Sequence, residues 1–313
     1  MTKSAGGNRP PVGQIGLGIM GGAFAKHLLA AGYTVAGYDV DARRRNELKR
    51  RGGQPATSIA AVAGGHPVLI TSLPSVKAVD AVFFGTGGIA DSARRGTVVI
   101  EASTLPLDVK ERVRAGCAER GIIVLDCPIS GTGAQAAAKD ISVYASGDER
   151  AFKRIRAVFD GFARSTHYCG AYGNGSKLKF IANLLVTIHN LSAAEAIVMG
   201  RKSGLDLDLV YKVIRDGAGT SRMFEVRAPL MIADDYAQAT MKVDVYQKDI
   251  DIIGAYATSV NCPTPLFDAS KSFYAAALAQ GRALDDTAVL CAVLEQMAGI
   301  PRQRISKRKK ATS

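Results

Sequence analysis

Lys179 and Asn183 lie four residues apart, and Lys179 closes the glycine-rich run Gly173-Asn174-Gly175-Ser176-Lys177-Leu178-Lys179. A helix repeats every ~3.6 residues, so positions i and i+4 share a face and would turn an ammonium and a carboxamide into one cleft. Such a pair can move a proton at a hydroxyl and hold the oxygen that carries it. Taken alone, Lys179 reads as a solvated surface charge, because Lys177 lies on a neighbouring face of the same turn and lysines are seldom fully buried. The reading changes only if the chain also supplies a hydride acceptor.

It opens with a candidate binding turn for one. Gly16-Leu17-Gly18-Ile19-Met20-Gly21 follows the apolar run Val12 to Ile15 and precedes a helical pattern, the context a dinucleotide site needs. Gly16 would permit the tight turn, Gly18 the approach of a pyrophosphate and Gly21 close packing of helix on strand, while the helix N-terminus stabilises the phosphate charge. Asp39 stands 18 residues beyond Gly21, near the ~20-residue offset of an acid that binds ribose hydroxyls. A carboxylate there repels a 2′-phosphate, which favours NAD over NADP. Arg43, Arg44 and Arg45 start the following helix and could reach such a phosphate, although a charge run of this kind reads first as a solvated face.

These residues need a frame. Short apolar or β-branched runs (Val12 to Ile15, Thr34 to Tyr38, Val68 to Ser72, Val98 to Glu101, Ile122 to Asp126, Ser142 to Ala145) alternate with amphipathic stretches (Met20 to Ala31, Asp41 to Arg51, Leu107 to Arg120). That alternation predicts an α/β, Rossmann-like, doubly wound parallel sheet over residues 12–172. Beyond Asn174 the pattern is helical only. Ser176 to about Lys202 has no proline, and no glycine before Gly200, enough for an interdomain helix ~40 Å long. Asp206 to Asp216, Lys242 to Ser259, Pro265 to Gln280 and Asp286 to Ala298 complete an all-α second domain over residues 173–299. Residues 1–11 read as a flexible lead and 300–313 as a basic disordered tail.

Composition narrows the function classes. A chain of 313 residues, 47% hydrophobic, can fill two cores. The net charge of +12 invites a nucleic-acid partner, but Arg302, Arg304, Lys307, Arg308, Lys309 and Lys310 supply six of those charges. There is no zinc-finger spacing, no tryptophan and no aromatic-rich RNA-binding signature. The remaining basic body would attract an anionic dinucleotide and an acid substrate. Five cysteines (Cys117, Cys127, Cys169, Cys262, Cys291) without a C-x-x-C pair suggest neither disulfides nor zinc. His27, His66, His167 and His189 lack the spacing of metal or nucleophilic sites. No apolar leader precedes residue 10, and Ile181 to Met199 contains His189, Asn190 and Glu195, which argues against a membrane span and for a cytoplasmic protein.

Four blocks in order resemble the β-hydroxyacid dehydrogenase family, which includes 3-hydroxyisobutyrate dehydrogenases, tartronate semialdehyde reductases and glyoxylate/succinic semialdehyde reductases. Ile15 to Gly21 is similar to its G-L-G-x-M-G turn, and Asp126-Cys127-Pro128-Ile129-Ser130-Gly131-Thr132 to its D-A-P-V-S-G-G substrate loop. Gly173 to Asn183 resembles its G-x-G-x-x-x-K-x-x-x-N signature, and Lys248-Asp249 its K-D pair. Leu73-Pro74 and Glu101-Ala102-Ser103-Thr104 match two shorter cofactor-side motifs. The likeness spans roughly Val12 to Ala298. Thr132, Lys139, Glu101 and Met241 depart from it, standing where the family more often has glycine, glycine, aspartate and, in some reductases, phenylalanine.

The resemblance implies a small 3-hydroxy acid bound between the domains and oxidised to its semialdehyde or 3-oxo acid, or the reverse. Lys179 would exchange the proton, a task that favours a pKa near the working pH. Asn183 would hold the substrate, Ser130, Gly131 and Thr132 would anchor its carboxylate through hydroxyls and backbone N–H groups, and Asp249 would lie near its pocket. Thr104 and Lys248 would sit toward the nicotinamide, and Leu73 and Pro74 on the cofactor side. A homodimer or homotetramer follows from the same likeness. The rivals are an imine reductase, which generally lacks the lysine matched by Lys179, a 6-phosphogluconate dehydrogenase relative, and a non-catalytic dinucleotide-binding protein.

Overall fold

The computed structural model describes residues 9–301. Strands β1 (Val12–Ile15), β2 (Val35–Tyr38), β3 (Gln54–Pro55), β4 (Val68–Thr71), β5 (Val98–Glu101) and β6 (Ile123–Asp126) form one parallel sheet in the order β3-β2-β1-β4-β5-β6. The order reverses between β1 and β4, the switch point at which such sheets leave a crevice beyond the strands' carboxyl ends. Parallel pairing needs crossovers. They are α1 (Ile19–Ala30), α2 (Ala42–Arg50), α3 (Ile59–Gly65), α4 (Val76–Phe84), α5 (Ile89–Ser92) and α6 (Leu107–Ala118).

Alternate residues of β4 and β5 enter opposite cores. Val68, Ile70, Val98 and Ile100 pack with Phe24, Leu28 and Phe159 on one face, and Leu69 and Val99 with Val62, Phe83 and Val113 on the other. Burial on both faces is why these strands read as unbroken apolar runs, each filled valine or isoleucine contributing ~1.5–3 kcal/mol.

One expected strand lies elsewhere. Ser142–Ala145 is the centre of a small mixed sheet: as β8 it pairs antiparallel with β7 (Ile129–Ser130) and parallel with β9 (Ser165–Tyr168). An isolated bridge between Asp126 and Ser146 ties it to the end of β6. The short helices α7 (Gly133–Ala137), α8 (Glu149–Arg154) and α9 (Arg156–Phe162) fill this region.

The rest is helical: α10 (Asn174–Lys202), α11 (Leu207–Asp216), α12 (Arg222–Ala233), α13 (Val243–Ser259), α14 (Pro265–Ala279), a 3-10 turn at Thr287–Val289 and α15 (Leu290–Met297). Helix α12 is an addition to the four helices the sequence pattern predicts after α10, and it contains Pro229. Proline cannot donate to the carbonyl four residues back, and here the Tyr211 hydroxyl donates to that Glu225 carbonyl instead, at 3.2 Å.

The chain divides into two compact units between Ala182 and Asn183, inside α10, whereas the sequence pattern changes at 172/173. By length and apolar composition α10 could cross a membrane. It carries the buried polar row Lys179, Asn183, Thr187 and Asn190, which would be costly in lipid. The first eight residues and the basic tail from Arg302 lie outside the described residues.

Candidate active site

The glycine turn has the shape its spacing suggested. Gly16 has φ +86°, and a Cβ on it would lie 2.2 Å from the Ser72 carbonyl oxygen. A Cβ on Gly21 would lie 1.9 Å from the Gly16 carbonyl oxygen, so α1 packs on the turn only with glycine there. Gly18 caps α1 without a side-chain hydrogen bond, and the first turn of α1 holds no acidic residue, which keeps the helix N-terminus suited to a phosphate. Leu17, Ile19 and Met20 complete the turn.

Asp39 follows β2, is 6% exposed and accepts hydrogen bonds from the backbone N–H of Leu17 at 2.8 Å and of Asp41 at 2.9 Å. The three arginines beside it differ. Arg43 pairs with Asp41, and Arg45 donates to the Asp39 carbonyl and lies over the Tyr38 ring. Arg44 reaches Asp39 itself at 3.4 Å and passes beside Gly18. On the neighbouring loops, the Leu73 N–H donates to Ser103 Oγ at 2.9 Å, which joins the segments bearing Leu73-Pro74 and Thr104.

Burial distinguishes the two lysines at the start of α10. Lys177 is exposed and Lys179 is 9% exposed. Asn183, one turn on, is 6% exposed and donates through Nδ2 to Asp249 Oδ2 at 2.9 Å. A carboxylate can only accept, so this bond fixes which way the Asn183 amide faces. Lys248 Nζ lies 3.5 Å from the other Asp249 oxygen. Thr187 and Tyr246 hydroxyls both lie within 3.0 Å of the Asn183 carbonyl, and 2.9 Å from each other. Burial, with Tyr274 beside it, pushes the Tyr246 phenol well above its ordinary pKa, so it remains a donor. Thr187 and Tyr246 were not singled out from the sequence. Thr187 lies four residues beyond Asn183 and was legible on the i, i+4 argument; Tyr246 on α13 carried no such signal.

The substrate-loop residues Ser130, Gly131 and Thr132 lie at the end of β7 and the entry to α7, all partly buried. Here one expectation needs correction. The Thr132 N–H, counted among the carboxylate donors, donates to Gln135 Oε1 at 3.0 Å, while Thr132 Oγ1 accepts from the Gln135 N–H. This capping box engages the Thr132 N–H within the loop, so that Thr132 keeps only its hydroxyl proton to offer a ligand. Lys139, at a position where the family more often has glycine, takes a left-handed φ of 62°.

Beneath these loops lies a charged cluster that sequence reading missed. Lys110, Glu101 and Asp126 are each fully buried; Lys110 Nζ donates to Asp126 Oδ1 at 2.8 Å and pairs with Glu101. Burial alone pushes Lys110 down, but Asp126 and Glu101 outweigh it and hold the ammonium above its ordinary pKa. Among the described residues, no group of three or more His, Cys, Asp or Glu is placed to hold a metal ion.

Comparison with known proteins gives this geometry a context. Residues 11–170 match the NAD binding domain of 6-phosphogluconate dehydrogenase, and residues 173–294 the family described as NAD-binding of NADP-dependent 3-hydroxyisobutyrate dehydrogenase. The chain is 34% identical over 281 residues to L-threonate dehydrogenase of Cupriavidus necator, covering 89% of this chain and 94% of that protein. It is 29% identical over 285 residues to mitochondrial 3-hydroxyisobutyrate dehydrogenase of Mus musculus, covering 89% and 85%. The crystal structure of a Salmonella typhimurium 3-hydroxyisobutyrate dehydrogenase superposes with a TM-score of 0.82 at 30% identity, over 90% of this chain and 99% of that one. An imine reductase from Myxococcus stipitatus shares the fold more distantly, with a TM-score of 0.60 at 20% identity over 91% of this chain and all of that one.

Proposed function

The chain belongs to the β-hydroxyacid dehydrogenase family and is an NAD(P)-dependent hydroxyacid dehydrogenase, and we propose that it interconverts a small 3-hydroxy acid with its semialdehyde or 3-oxo acid. The observation that carries this reading is the placement of Lys179 and Asn183: both buried, one turn apart on α10, with the amide oriented by Asp249. A buried lysine beside an oriented amide fits proton exchange at a substrate oxygen better than a solvated one does.

Gly16, Leu17, Gly18, Ile19, Met20 and Gly21 would hold the dinucleotide phosphates, Asp39 its ribose, and Leu73, Pro74, Thr104 and Lys248 its nicotinamide side. When bound, the dinucleotide accepts hydride from the hydroxyl-bearing carbon or returns it. Lys179 takes the hydroxyl proton on oxidation as the neutral amine, and gives it back on reduction as the ammonium. Asn183 holds the reacting oxygen, Asp249 keeps that amide in its orientation, and Ser130, Gly131 and the Thr132 hydroxyl bind the carboxylate. NAD is the favoured cofactor. This is supported by Asp39, whose two oxygens are anchored just after β2, and by Arg43 and Arg45, which are engaged elsewhere, leaving Arg44 as the arginine beside that carboxylate.

The relatives act on different acids by name, so substrate is the finer question. L-Threonate leads, on the strength of the Cupriavidus relative. The Asp249 carboxylate beside Asn183 could accept a hydrogen bond from a further hydroxyl of a polyhydroxy acid. A soluble cytoplasmic enzyme acting on a small carboxylic acid, assembled as a homodimer or homotetramer, is the setting this implies.

The test is wild-type kcat/KM with NAD⁺ and with NADP⁺ on L-threonate, 3-hydroxyisobutyrate, glycerate, L-serine, 4-hydroxybutyrate and phenylserine. We expect turnover of at least one hydroxy acid with NAD⁺ preferred by about 10-fold or more, in line with one charge-assisted hydrogen bond. NADP⁺ preference would overturn the role of Asp39, and reduction of cyclic imines with no hydroxy-acid turnover would overturn the reaction class.

A further inference from the structure

The buried Glu101–Lys110–Asp126 cluster is not used by the chemistry above. Two carboxylates face one ammonium, all fully buried. Apolar side chains of similar size generally hold a fold as well or better, so a buried ion cluster is weak evidence for stability alone. Its location is more informative than its charge, because it lies at the carboxyl ends of β5 and β6, beneath the loops of the proposed site.

Each carboxylate holds a different part of that site. Asp126 Oδ2 accepts from the Ser176 N–H at 2.8 Å and the Ser146 hydroxyl at 3.2 Å, and its Oδ1 accepts from the Ser176 hydroxyl at 2.7 Å beside Lys110. A carboxylate at the first turn of α10 meets the positive end of the helix dipole. Ser176 is three residues before Lys179. The backbone there is pinned a second way: the Gly175 N–H donates to Ser146 Oγ at 3.0 Å, and a Cβ on Gly175 would lie 2.3 Å from the Tyr144 carbonyl oxygen. Glu101 Oε1 accepts from the Ser103 N–H at 3.0 Å and lies 3.5 Å from the Thr71 hydroxyl. Ser103 in turn accepts from the Leu73 N–H.

We propose that Lys110 is a positioning residue for hydride transfer: by clamping Asp126 and Glu101 it fixes the first turn of α10, which carries Lys179, in register with the Leu73 and Thr104 loops of the cofactor side. This rests on the reaction class proposed above. Lys110 touches neither reactant and acts through Asp126–Ser176 and Glu101–Ser103. Misplacing a reacting group by about an ångström costs on the order of 100-fold in rate, and the cluster guards against that.

Ser176→Ala removes one hydroxyl of the clamp, Ser176→Thr keeps it, and Lys110→Met removes the ammonium. Each is compared with wild type for kcat and KM on whichever panel acid the wild type oxidises, for NADH affinity by fluorescence, and for amide hydrogen exchange across residues 173–183. Ser176→Ala should lower kcat about 10-fold or more, change KM and NADH affinity by less than about 3-fold, and speed exchange in that segment while the central strands stay protected; Ser176→Thr should recover most of kcat. Lys110→Met should act in the same direction and more strongly. Unchanged kcat with faster local exchange, or a loss of kcat in Ser176→Ala that merely tracks global exchange and Tm, would overturn the proposal. If no panel acid is oxidised, the reaction class fails, while exchange in 173–183 still decides whether the cluster pins α10.

Discussion

Lys177 and Lys179 differ by two positions and by the face they occupy. One side chain is solvated and the other buried with the Asn183 amide on its face, a contrast that i, i+4 spacing anticipates and burial turns into chemistry. The cysteines follow the same logic of environment. Burial pushes Cys117 and Cys291 up to about 12 and Cys127 well above the ordinary thiol value, whereas Cys262 is exposed. Raised thiol pKa values mean protonated, unreactive sulfur at neutral pH. Iodoacetamide at about pH 8 should therefore modify Cys262 first and leave Cys117, Cys127 and Cys291 intact until the protein unfolds; peptide mass mapping checks it, and equal modification of all four in the native protein would contradict the burial of those three.

At the level of elements, legibility depended on whether a pattern was local. Strands β1 and β5 were readable to the residue because parallel strands buried on both faces are continuous apolar runs. The two-residue strands β3 and β7 are too short to show any period, and α12 was hidden by Pro229. The cluster around Lys110 was illegible for another reason. A lysine on an amphipathic helix reads as solvated, and its two carboxylate partners come from strand ends that only the folded sheet brings beneath α6. Lys110→Met should destabilise the protein by ~3–5 kcal/mol, since it leaves two buried carboxylates without their cation. The folded-state pKa of Lys110 lies above the unfolded value of about 10.4, so its contribution is complete below that pH and is lost only as pH rises through the folded value. The urea-measured difference between wild type and variant should therefore not shrink as pH rises from about 6 to 9; a difference that faded within that window would contradict the raised pKa.

For the whole molecule, the glycine turn, Asp39, the substrate loop, the α10 pair and the Lys248-Asp249 pair were all nameable in order from sequence, whereas the way Gln135 occupies the Thr132 N–H was not, because a capping box on so short a helix depends on the loop's folded path. Helix α11 buries none of its residues and leaves Leu209 and Val213 more than half exposed. That face would serve the proposed homo-oligomer. Val213→Asp should lower the mass in light scattering from oligomer toward monomer, and an unchanged oligomer would place the interface elsewhere. The proposed proton transfer rests on one side chain, Lys179. It is tested most directly by single-turnover hydride transfer in Lys179→Ala, with NADH affinity measured on the same preparation. The account predicts a rate at least about 100-fold below wild type with NADH binding within about 3-fold of it; equal rates would contradict Lys179 as the proton-transfer group.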